Sequence, residues 1–172
     1  MTFNFQQEYL AILLPSIPDE LAELKEELSE FIYWDDSQFQ DDYQAKDSIK
    51  FLVEQGLPRQ ASPYLGFKNY HQSDIMQIQQ NSNLQSHHFP IGADGSGNVI
   101  FVDMADGQIY LSDHDNNDEV IFINNSLEQL GKCICGYDKG YKSLKDLMMY
   151  QAIDNKIGER RDFWQVELAE KS

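Results

Sequence analysis

Three segments rich in Val, Ile, Phe and Tyr, joined by very short links, constrain the fold of this chain more than any other feature. They cover residues 98–103, 108–113 and 119–123. Links of four or five residues are too short for the crossover that parallel neighbours need, so the segments are predicted to form an antiparallel meander. The first and third segments are apolar at successive positions, which indicates that both faces of the sheet are at least partly covered.

Segments with helical periodicity lie on both sides of the predicted sheet. The spacing of apolar residues predicts helices at about residues 18–33 and 43–55 before the sheet, and at about 127–137 and 144–153 after it. The tail 162–170 is too apolar for a disordered appendage and is predicted to dock back on the domain. We therefore predict one α+β domain spanning all 172 residues, with a central antiparallel sheet of about five or six strands and helices packed around it.

Short apolar runs complete the pattern. Residues 65–67 and 75–78 are predicted as additional strands. The longest uninterrupted apolar run, Leu10 to Leu14, ends at Pro15 and falls far short of the ~20 residues that a bilayer-spanning helix needs. No Lys or Arg precedes that run, so it lacks the basic start of a secretory signal. A cytoplasmic bacterial protein without a membrane partner is therefore expected.

Acidic residues dominate the charge of the chain and are unevenly distributed. The 29 Asp and Glu against 13 Lys and Arg give a formal net charge of −16. Residues 1–57 carry −10 and residues 58–124 carry −6, whereas the acids and bases of residues 125–172 balance. Proteins that bind nucleic-acid phosphates need clustered cations, so DNA and RNA are not expected partners. The charge favours a cationic partner instead.

Motifs for catalysis or metal binding are not recognised in the sequence. None of the four His residues lies in a nucleophile context, and the Ser of Asp94–Asn98 lies in a turn before a strand rather than at a strand-to-helix elbow. His87 and His88 could bind a metal with a distant acid, but adjacent side chains point apart in an extended segment. Cys133 and Cys135 lack the second pair that a zinc site of four ligands needs.

The acidic loop Asp113–Glu119 has oxygen ligands at alternate positions, which Ca²⁺ prefers. Its sixth position is Asp118 instead of Gly and its twelfth is Asn124 instead of Glu, so it departs from the EF-hand pattern. The residues alone indicate a domain that is not an enzyme and needs no cofactor or metal. A metal-assisted hydrolase is kept as an alternative, with these candidate residues: Asp94, Asp113, Asp115 and His114.

Five short motifs follow one another in an informative order between residues 45 and 150. They are Phe51–Pro58, Leu65–Phe67, Phe89–Asn98, Asp106–Tyr110 and Phe122–Leu127. Gly-Leu-Pro after a helix, and Ile-Gly-Ala-Asp-Gly-Ser-Gly-Asn before a strand, are the most diagnostic pieces. In this order the motifs resemble the SUKH superfamily, which groups bacterial immunity proteins with a fungal cell-wall assembly regulator. The resemblance implies an α+β fold with a central antiparallel sheet, no catalytic residues, and neutralisation of a cognate toxin, often a nuclease or deaminase.

The residues shared with that superfamily are predicted to be structural, because turns and a helix stop account for them. They are Gly56, Leu57, Pro58, Gly92, Asp94, Gly97 and Asn98. The chain departs from a minimal member in an acidic connector, residues 34–42, and in the tail beyond residue 150. Both departures are candidates for contacts specific to the partner.

Two acidic segments are predicted to contact the partner, which is expected to be a cognate protein toxin with a basic cleft. Charge steers association and buried aromatic anchors usually carry the affinity, so segments that combine both are favoured. The first candidate surface is the acidic connector with its flanks: Tyr33, Trp34, Asp35, Asp36, Phe39, Asp41, Asp42 and Tyr43. The second is a loop with Tyr110 beside it: Asp113, Asp115, Asp118 and Glu119. Ordinary solvated loops are the alternative for both, and a regulatory scaffold that binds host proteins is the alternative function.

Overall fold

The computed structural model describes residues 2–172 and has the predicted α+β architecture. Within these residues, seven α-helices accompany one six-stranded antiparallel sheet, and two further strands pair separately. The helices are α1 (Phe5–Ser16), α2 (Ala22–Leu28), α3 (Lys46–Glu54), α4 (Gln72–Asn81), α5 (Leu127–Asp138), α6 (Leu147–Ile153) and α7 (Phe163–Glu170). The strands are β1 (Phe31–Ile32), β2 (Leu57–Pro58), β3 (Gln60–Ala61), β4 (Leu65–Phe67), β5 (His88–Asp94), β6 (Val99–Asp103), β7 (Ile109–Asp113) and β8 (Glu119–Asn124). None of the helices in the described part of the chain combines the length and the apolar content that crossing a bilayer demands.

The antiparallel meander predicted from the short links is confirmed for β6, β7 and β8, and it continues through β5, β4 and β3, of which β5 and β3 were not predicted. Its strands follow chain order from β3 to β8, and every neighbouring pair is antiparallel. The register places Ile100, Leu111 and Ile121 in one row across three strands. This row belongs to the face that packs into the main hydrophobic core. The core therefore lies between that face and the helices.

The opposite face of the sheet is covered in part by its own stacked rings. The ring of Phe101 lies 4.7 Å from that of His88 and 5.7 Å from that of Tyr110, measured between centroids, and Phe122 follows 6.0 Å from Tyr110. Phe101 is fully buried by this stacking, whereas Val120 on the edge strand is 50% exposed. The burial of Phe101 confirms that this face is partly covered, but the sheet's own rings supply much of the cover that helices or long loops were expected to supply. Lys156, in the loop after α6, lies 5.9 Å from the centre of the Phe122 ring.

Two helix boundaries agree with the sequence signals that predicted them. Ser126 caps α5, because the Gln129 N–H donates to Ser126 Oγ at 3.2 Å. α3 ends just before Gly56, which has a φ of +69°. A Cβ at this glycine would lie 2.4 Å from the Ile32 carbonyl oxygen, so the close approach of β1 to this turn requires glycine.

The tail forms α7, and a buried polar network holds it against β8. Trp164 is fully buried, lies 5.1 Å from the ring of Tyr150, and donates from Nε1 to Asn124 Oδ1 at 2.9 Å. The buried Asp154 carboxylate accepts from Asn124 Nδ2 at 3.1 Å and from the Asn125 N–H at 2.7 Å. A hydrogen-bonded network of this kind fixes position as well as satisfying buried polar groups. It sets where α7 lies relative to the sheet.

The helix predicted at residues 18–33 is shorter than expected and ends early. A 3₁₀ turn at Asp19–Leu21 precedes α2, which is two turns long, and Phe31–Ile32 form β1, paired with β2. Leu21 and Leu24 are 46% and 40% exposed, so the first part of the predicted apolar stripe does not enter the core, whereas Phe31 and Ile32 pack against it. Strand pairing overrides helical periodicity in the last residues of this segment.

Two helices occupy segments for which the sequence predicted something else. The predicted strand at residues 75–78 lies inside α4, with Ile75 buried and Met76 62% exposed. Short apolar runs do not distinguish a strand from a helix segment by periodicity, which explains the error. The sequence pattern predicted no element at α1, which contains the apolar run before Pro15. Asn4 caps it by accepting from the Gln7 N–H at 2.9 Å.

Candidate binding groove

An open groove lies where the β5–β6 turn, the β7–β8 loop and α7 meet. Its volume is about 530 Å³. Carboxylates from all three segments line it: Asp94, Asp113, Asp115, Glu167 and Glu170. Apolar side chains line it as well: Pro63, Tyr64, Leu111, Ile121, Phe163 and Val166. We call this site the acidic groove.

Asp94 holds its own turn in place as well as contributing a charge. Its carboxylate accepts hydrogen bonds from the backbone N–H groups of Ser96 and Asn98, both at 2.9 Å, and from Asn98 Nδ2 at 3.0 Å. Gly97 has a φ of +86°, a conformation that favours glycine. These contacts agree with the structural role predicted for Asp94, Gly97 and Asn98.

Asn98 also ties the β5–β6 turn to the β7–β8 loop. Its Oδ1 accepts from the His114 N–H at 3.1 Å and lies 2.6 Å from His114 Nδ1. Within the loop, the Asp113 carboxylate accepts from the Asp115 N–H at 3.1 Å and from Asn116 Nδ2 at 2.6 Å. Neutral hydrogen-bond donors, rather than Lys or Arg side chains, hold both acidic segments in position.

α7 contributes two carboxylates from one side, because Glu167 and Glu170 are three residues apart and share a helix face. Asp162 caps this helix by accepting from the Gln165 N–H at 3.0 Å. The same carboxylate accepts from the Gly158 N–H at 2.7 Å, which joins the helix start to the preceding loop. The direction of α7, and with it the position of both glutamates, is therefore well determined.

Glu167 has the most perturbed carboxyl group of the acidic groove. Burial raises its pKa from 4.5 to about 7, and the negative charges of Glu170 and Asp94 act in the same direction against Lys171. The carboxyl is therefore about half protonated at neutral pH. Because a cation in the groove would favour the ionised form, binding of a cation should release a proton.

Two cationic side chains lie at the acidic groove: Arg161 lines it, and the charge of Lys171 opposes the raised pKa of Glu167. Among residues 2–172, no Lys or Arg nitrogen lies within 4 Å of a carboxylate oxygen of the five groove acids. Asp115 contacts the ring of His114, with 3.3 Å between oxygen and Nε2. The groove thus combines carboxylates that form no ion pair with Lys or Arg among these residues with accessible apolar surface. Such a site suits a Lys or Arg side chain, whose aliphatic stem packs on apolar groups while its charged end meets carboxylates.

The inner aromatic residues of the first predicted surface are buried, so their prediction as partner anchors is wrong. Trp34, Phe39 and Tyr43 are only 3%, 8% and 6% exposed. The ring of Phe39 lies 4.9 Å from that of Phe89, and the Tyr43 hydroxyl donates to the Ser86 carbonyl at 3.0 Å. Burying this aromatic surface in the protein's own core is favourable, and it removes these rings from any partner.

The other residues of the first surface remain accessible. Asp35, Asp36, Asp41 and Asp42 are exposed. Tyr33 is 45% exposed, and its hydroxyl donates to Gln6 Oε1 at 3.2 Å. Hydrogen bonds from the hydroxyl and the N–H of Ser37 lower the pKa of Asp35, which caps a short 3₁₀ turn. The acidic connector therefore presents carboxylates with one accessible aromatic ring beside them.

The structure divides the second predicted surface. Asp113 and Asp115 line the acidic groove, whereas Asp118 and Glu119 belong to the same loop but do not line it. Glu119 is exposed and lies opposite Asp113 in the β7–β8 ladder. Tyr110 lies on the sheet face that carries the stacked rings, so it is not part of the groove.

The sequence analysis named the tail that contains α7 as a candidate for partner contacts, but it did not single out Glu167, Glu170 or Tyr64. The spacing of Glu167 and Glu170 was a usable signal for one helix face, but the sequence does not show which segment that face meets. Tyr64 is 70% exposed with a φ of +57°, and Lys171 Nζ lies 5.5 Å from the centre of its ring. Its exposure follows from the turn between β3 and β4, which periodicity does not reveal.

The residues of the alternative metal-assisted hydrolase do not form a metal cluster. In the described chain, no three of Asp94, Asp113, Asp115 and His114 have ligand atoms within 4.8 Å of one another. Asp94 and Asp113 already accept hydrogen bonds that shape their own turns. The arrangement suits the binding of a cationic side chain and gives the hydrolase alternative no support.

The acidic groove has to be interpreted from its own chemistry. No protein-family model, no curated protein and no solved structure matches the chain. The order of motifs that resembles the SUKH superfamily remains a sequence observation. The geometry adds hydrogen-bonded roles for several of those motif residues and a groove that the motifs alone did not indicate.

Proposed function

We propose that this chain is an immunity-type binding protein that neutralises a basic protein toxin, such as a nuclease or deaminase, through the acidic groove. One observation carries the proposal: five carboxylates and several apolar side chains line one groove together with Arg161, and no Lys or Arg nitrogen of the described residues lies within 4 Å of those carboxylates. A toxin that acts on nucleic acid holds phosphates with Lys and Arg side chains. Docking those side chains into the groove would deny the toxin its substrate.

The free groove is electrostatically unfavourable, and a cationic partner relieves this. Glu167, Glu170 and Asp94 repel one another enough to contribute to the raised pKa of Glu167. A Lys or Arg side chain would reverse the sign of that interaction and replace lost hydration with charge-assisted hydrogen bonds. The exposed ring of Tyr64 and the partly exposed Ile121 and Val166 side chains would cover the aliphatic stem of such a residue. Charge and apolar contact thus act at one place.

The charge of the whole chain supports the same kind of partner. A net charge of −16 attracts a basic protein before contact, and electrostatic steering can raise association rates to about 10⁸–10⁹ M⁻¹s⁻¹ at low salt. The exposed carboxylates of the acidic connector contribute to this long-range field. The groove then supplies the short-range contacts that set the dissociation rate.

The test is co-expression of the full chain with the protein encoded by the adjacent gene, which the proposal expects to be the toxin. We expect the chain to protect the cells and to co-purify with the toxin in a stoichiometric complex. Replacing two groove acids together, Glu167→Lys with Glu170→Lys, should abolish protection. Glu170 is exposed and Glu167 is half-buried at the groove, so a cooperative thermal unfolding transition of the variant is measured beside protection.

A matched control distinguishes the effect of changing the groove from the effect of changing the net charge. Glu20→Lys with Glu23→Lys changes the total charge by the same amount at acids that do not line the groove. This control should still protect. Equal loss of protection by both variants would contradict the groove assignment. If the adjacent protein is not toxic, and the chain co-purifies with endogenous host proteins instead, the regulatory scaffold is favoured over the immunity role.

A further inference from the structure

A second cluster of ligand atoms lies on the sheet and shares no residue with the acidic groove. It consists of His87, His88 and Asp103. Among residues 2–172 it is the one group of three His, Cys, Asp or Glu whose ligand atoms all lie within 4.8 Å of one another. His88 opens β5 and is paired with Asp103 at the end of β6. Strand pairing therefore supplies the distant acid that the sequence could not identify.

The expectation that the two adjacent histidines point apart is wrong. His87 precedes β5, so the alternation of side chains along a strand does not apply to it. The two imidazole rings lie 4.5 Å apart between centroids. His87 Nε2 lies 3.7 Å from Asp103 Oδ1, and His88 Nε2 lies 3.7 Å from Asp103 Oδ2. Each ring thus faces a different oxygen of one carboxylate.

We propose that His87, His88 and Asp103 bind a divalent transition-metal ion of the zinc type, with a coordination position left for water or a partner. Two imidazoles and a carboxylate form a donor set that Zn²⁺ accepts, whereas Mg²⁺ and Ca²⁺ prefer oxygen ligands. Bonds of about 2.0–2.2 Å in a tetrahedral site place ligand atoms roughly 3.4 Å apart. The observed separations of 3.7 Å need only a small contraction to reach that geometry.

Backbone contacts hold the three residues close to this arrangement. The Met104 N–H donates to the His87 carbonyl at 2.8 Å, which extends the β5–β6 pairing by one residue. The Ala105 N–H donates to Asp103 Oδ1 at 2.9 Å and orients that carboxylate. The side chains of His88 and Asp103 are both 18% exposed, while that of His87 is 45% exposed. An ion would therefore enter from the side of His87, where the open position also lies.

The surroundings of the cluster favour a cation. Besides Asp103, the carboxylate of Asp106 lies close enough to His88 to act on it electrostatically.

One hydrogen bond opposes metal binding and provides a signature for it. The Gln85 N–H donates to His88 Nδ1 at 3.0 Å, so the proton of the neutral ring lies on Nε2. Coordination through Nε2 moves this proton to Nδ1 and breaks the bond to Gln85. Unsuitable outer partners of a ligating His typically weaken binding by about 10–100-fold. We therefore expect micromolar rather than nanomolar affinity for zinc.

Calorimetric titration of the full chain with Zn²⁺ tests the proposal. We expect one ion per chain, and at least about tenfold weaker binding in His87→Ala and in Asp103→Asn. His71→Ala is the matched control, since it removes an exposed histidine at the start of α4 that is outside the cluster. In an NMR titration, the amide resonance of Gln85 should shift as zinc binds to the unaltered chain.

Both variants are expected to fold, which keeps the test decisive. His87 is half-exposed, and an Asn at position 103 retains an oxygen that can accept from the Ala105 N–H. Thermal unfolding without metal checks this directly. Absence of zinc binding tighter than millimolar would overturn the proposal. Equal binding by the unaltered chain and both cluster variants, or loss of binding in His71→Ala, would place the ion elsewhere and overturn it as well. None of these outcomes bears on the acidic groove.

Discussion

The acidic connector and the acidic groove are both rich in carboxylates, but they differ in whether the neighbouring apolar side chains are buried or exposed. In the connector, Trp34, Phe39 and Tyr43 turn inward and join the core, which leaves carboxylates outside. In the groove, Tyr64 is 70% exposed, and Ile121 and Val166 are partly exposed beside the carboxylates. A binding site for a cationic side chain needs both kinds of surface. The comparison shows that an acid-rich sequence becomes such a site only where the fold leaves apolar surface open.

The difference in hydration between the two regions explains why their carboxylates should contribute differently to partner binding. The connector acids are exposed, so bulk water and salt screen them beyond about 8–10 Å, and isolated exposed pairs contribute little affinity. Glu167 is half-buried, and its raised pKa reports lost hydration together with repulsion from neighbouring acids. A cation gains more from such a group than from a fully solvated one. We therefore assign steering to the connector and affinity to the groove.

The largest expected effect tests whether the connector's aromatic residues belong to the core. Phe39→Ala should lower the free energy of unfolding by about 3–5 kcal/mol, because it removes a ring packed on Phe89. Urea denaturation measures the loss, and the fraction that remains folded should bind the toxin unchanged. If the variant has normal stability but fails to bind the partner, Phe39 contacts the partner, and the contrast drawn between the connector and the groove is wrong.

The next effect compares the two regions with one probe, an arginine-rich peptide. Glu167→Gln with Glu170→Gln should weaken its binding about tenfold, equivalent to about 1.4 kcal/mol. Asp41→Asn with Asp42→Asn removes the same formal charge from the connector and should weaken binding less. Fluorescence anisotropy at physiological salt measures both. A larger loss from the connector pair would reverse the assignment of the two regions.

A smaller effect concerns the pH dependence of stability. Glu167 has a pKa of about 7 in the folded chain against 4.5 as its ordinary value, so the folded state binds its proton more tightly. Stability should therefore fall as pH rises from about 4.5 to about 7. Glu167→Gln should remove this part of the slope, which urea denaturation across the interval measures. The exposed Glu20→Gln should keep it, and identical slopes in all three chains would show that Glu167 is not perturbed.

The smallest expected effect is a change in the association rate caused by electrostatic steering alone. Replacing the four connector acids with Asn should lower the rate of association with the proposed toxin by less than about tenfold and flatten the salt dependence of that rate. These acids are Asp35, Asp36, Asp41 and Asp42. The dissociation rate should not change, since these acids make no short-range contact in the proposal. Stopped-flow measurements at several salt concentrations separate the two rates. A faster dissociation would show that the connector is part of the interface.

The last three strands of the central sheet and the start of α5 were predictable because they depend on local rules. Short links dictate antiparallel pairing, and the spacing of Ser126 and Gln129 dictates a helix start. The helix predicted at residues 18–33 ends early because β1 pairs with a segment more than twenty residues away. The cluster of His87, His88 and Asp103 was missed for a related reason, since strand pairing rather than sequence spacing brings Asp103 to the histidines.

Residue types and the spacing of neighbours along the chain were enough to predict the antiparallel meander of β6, β7 and β8 and the excess of negative charge, whereas β3 and β5 were not predicted. Tertiary structure alone decided that Trp34 and Phe39 point inward and that Glu167 of α7 meets Asp94 across the groove. Both outcomes depend on competition between distant segments for the same buried surface. The packing of the whole domain decides which segment is buried, so the outcome cannot be predicted from a local sequence pattern.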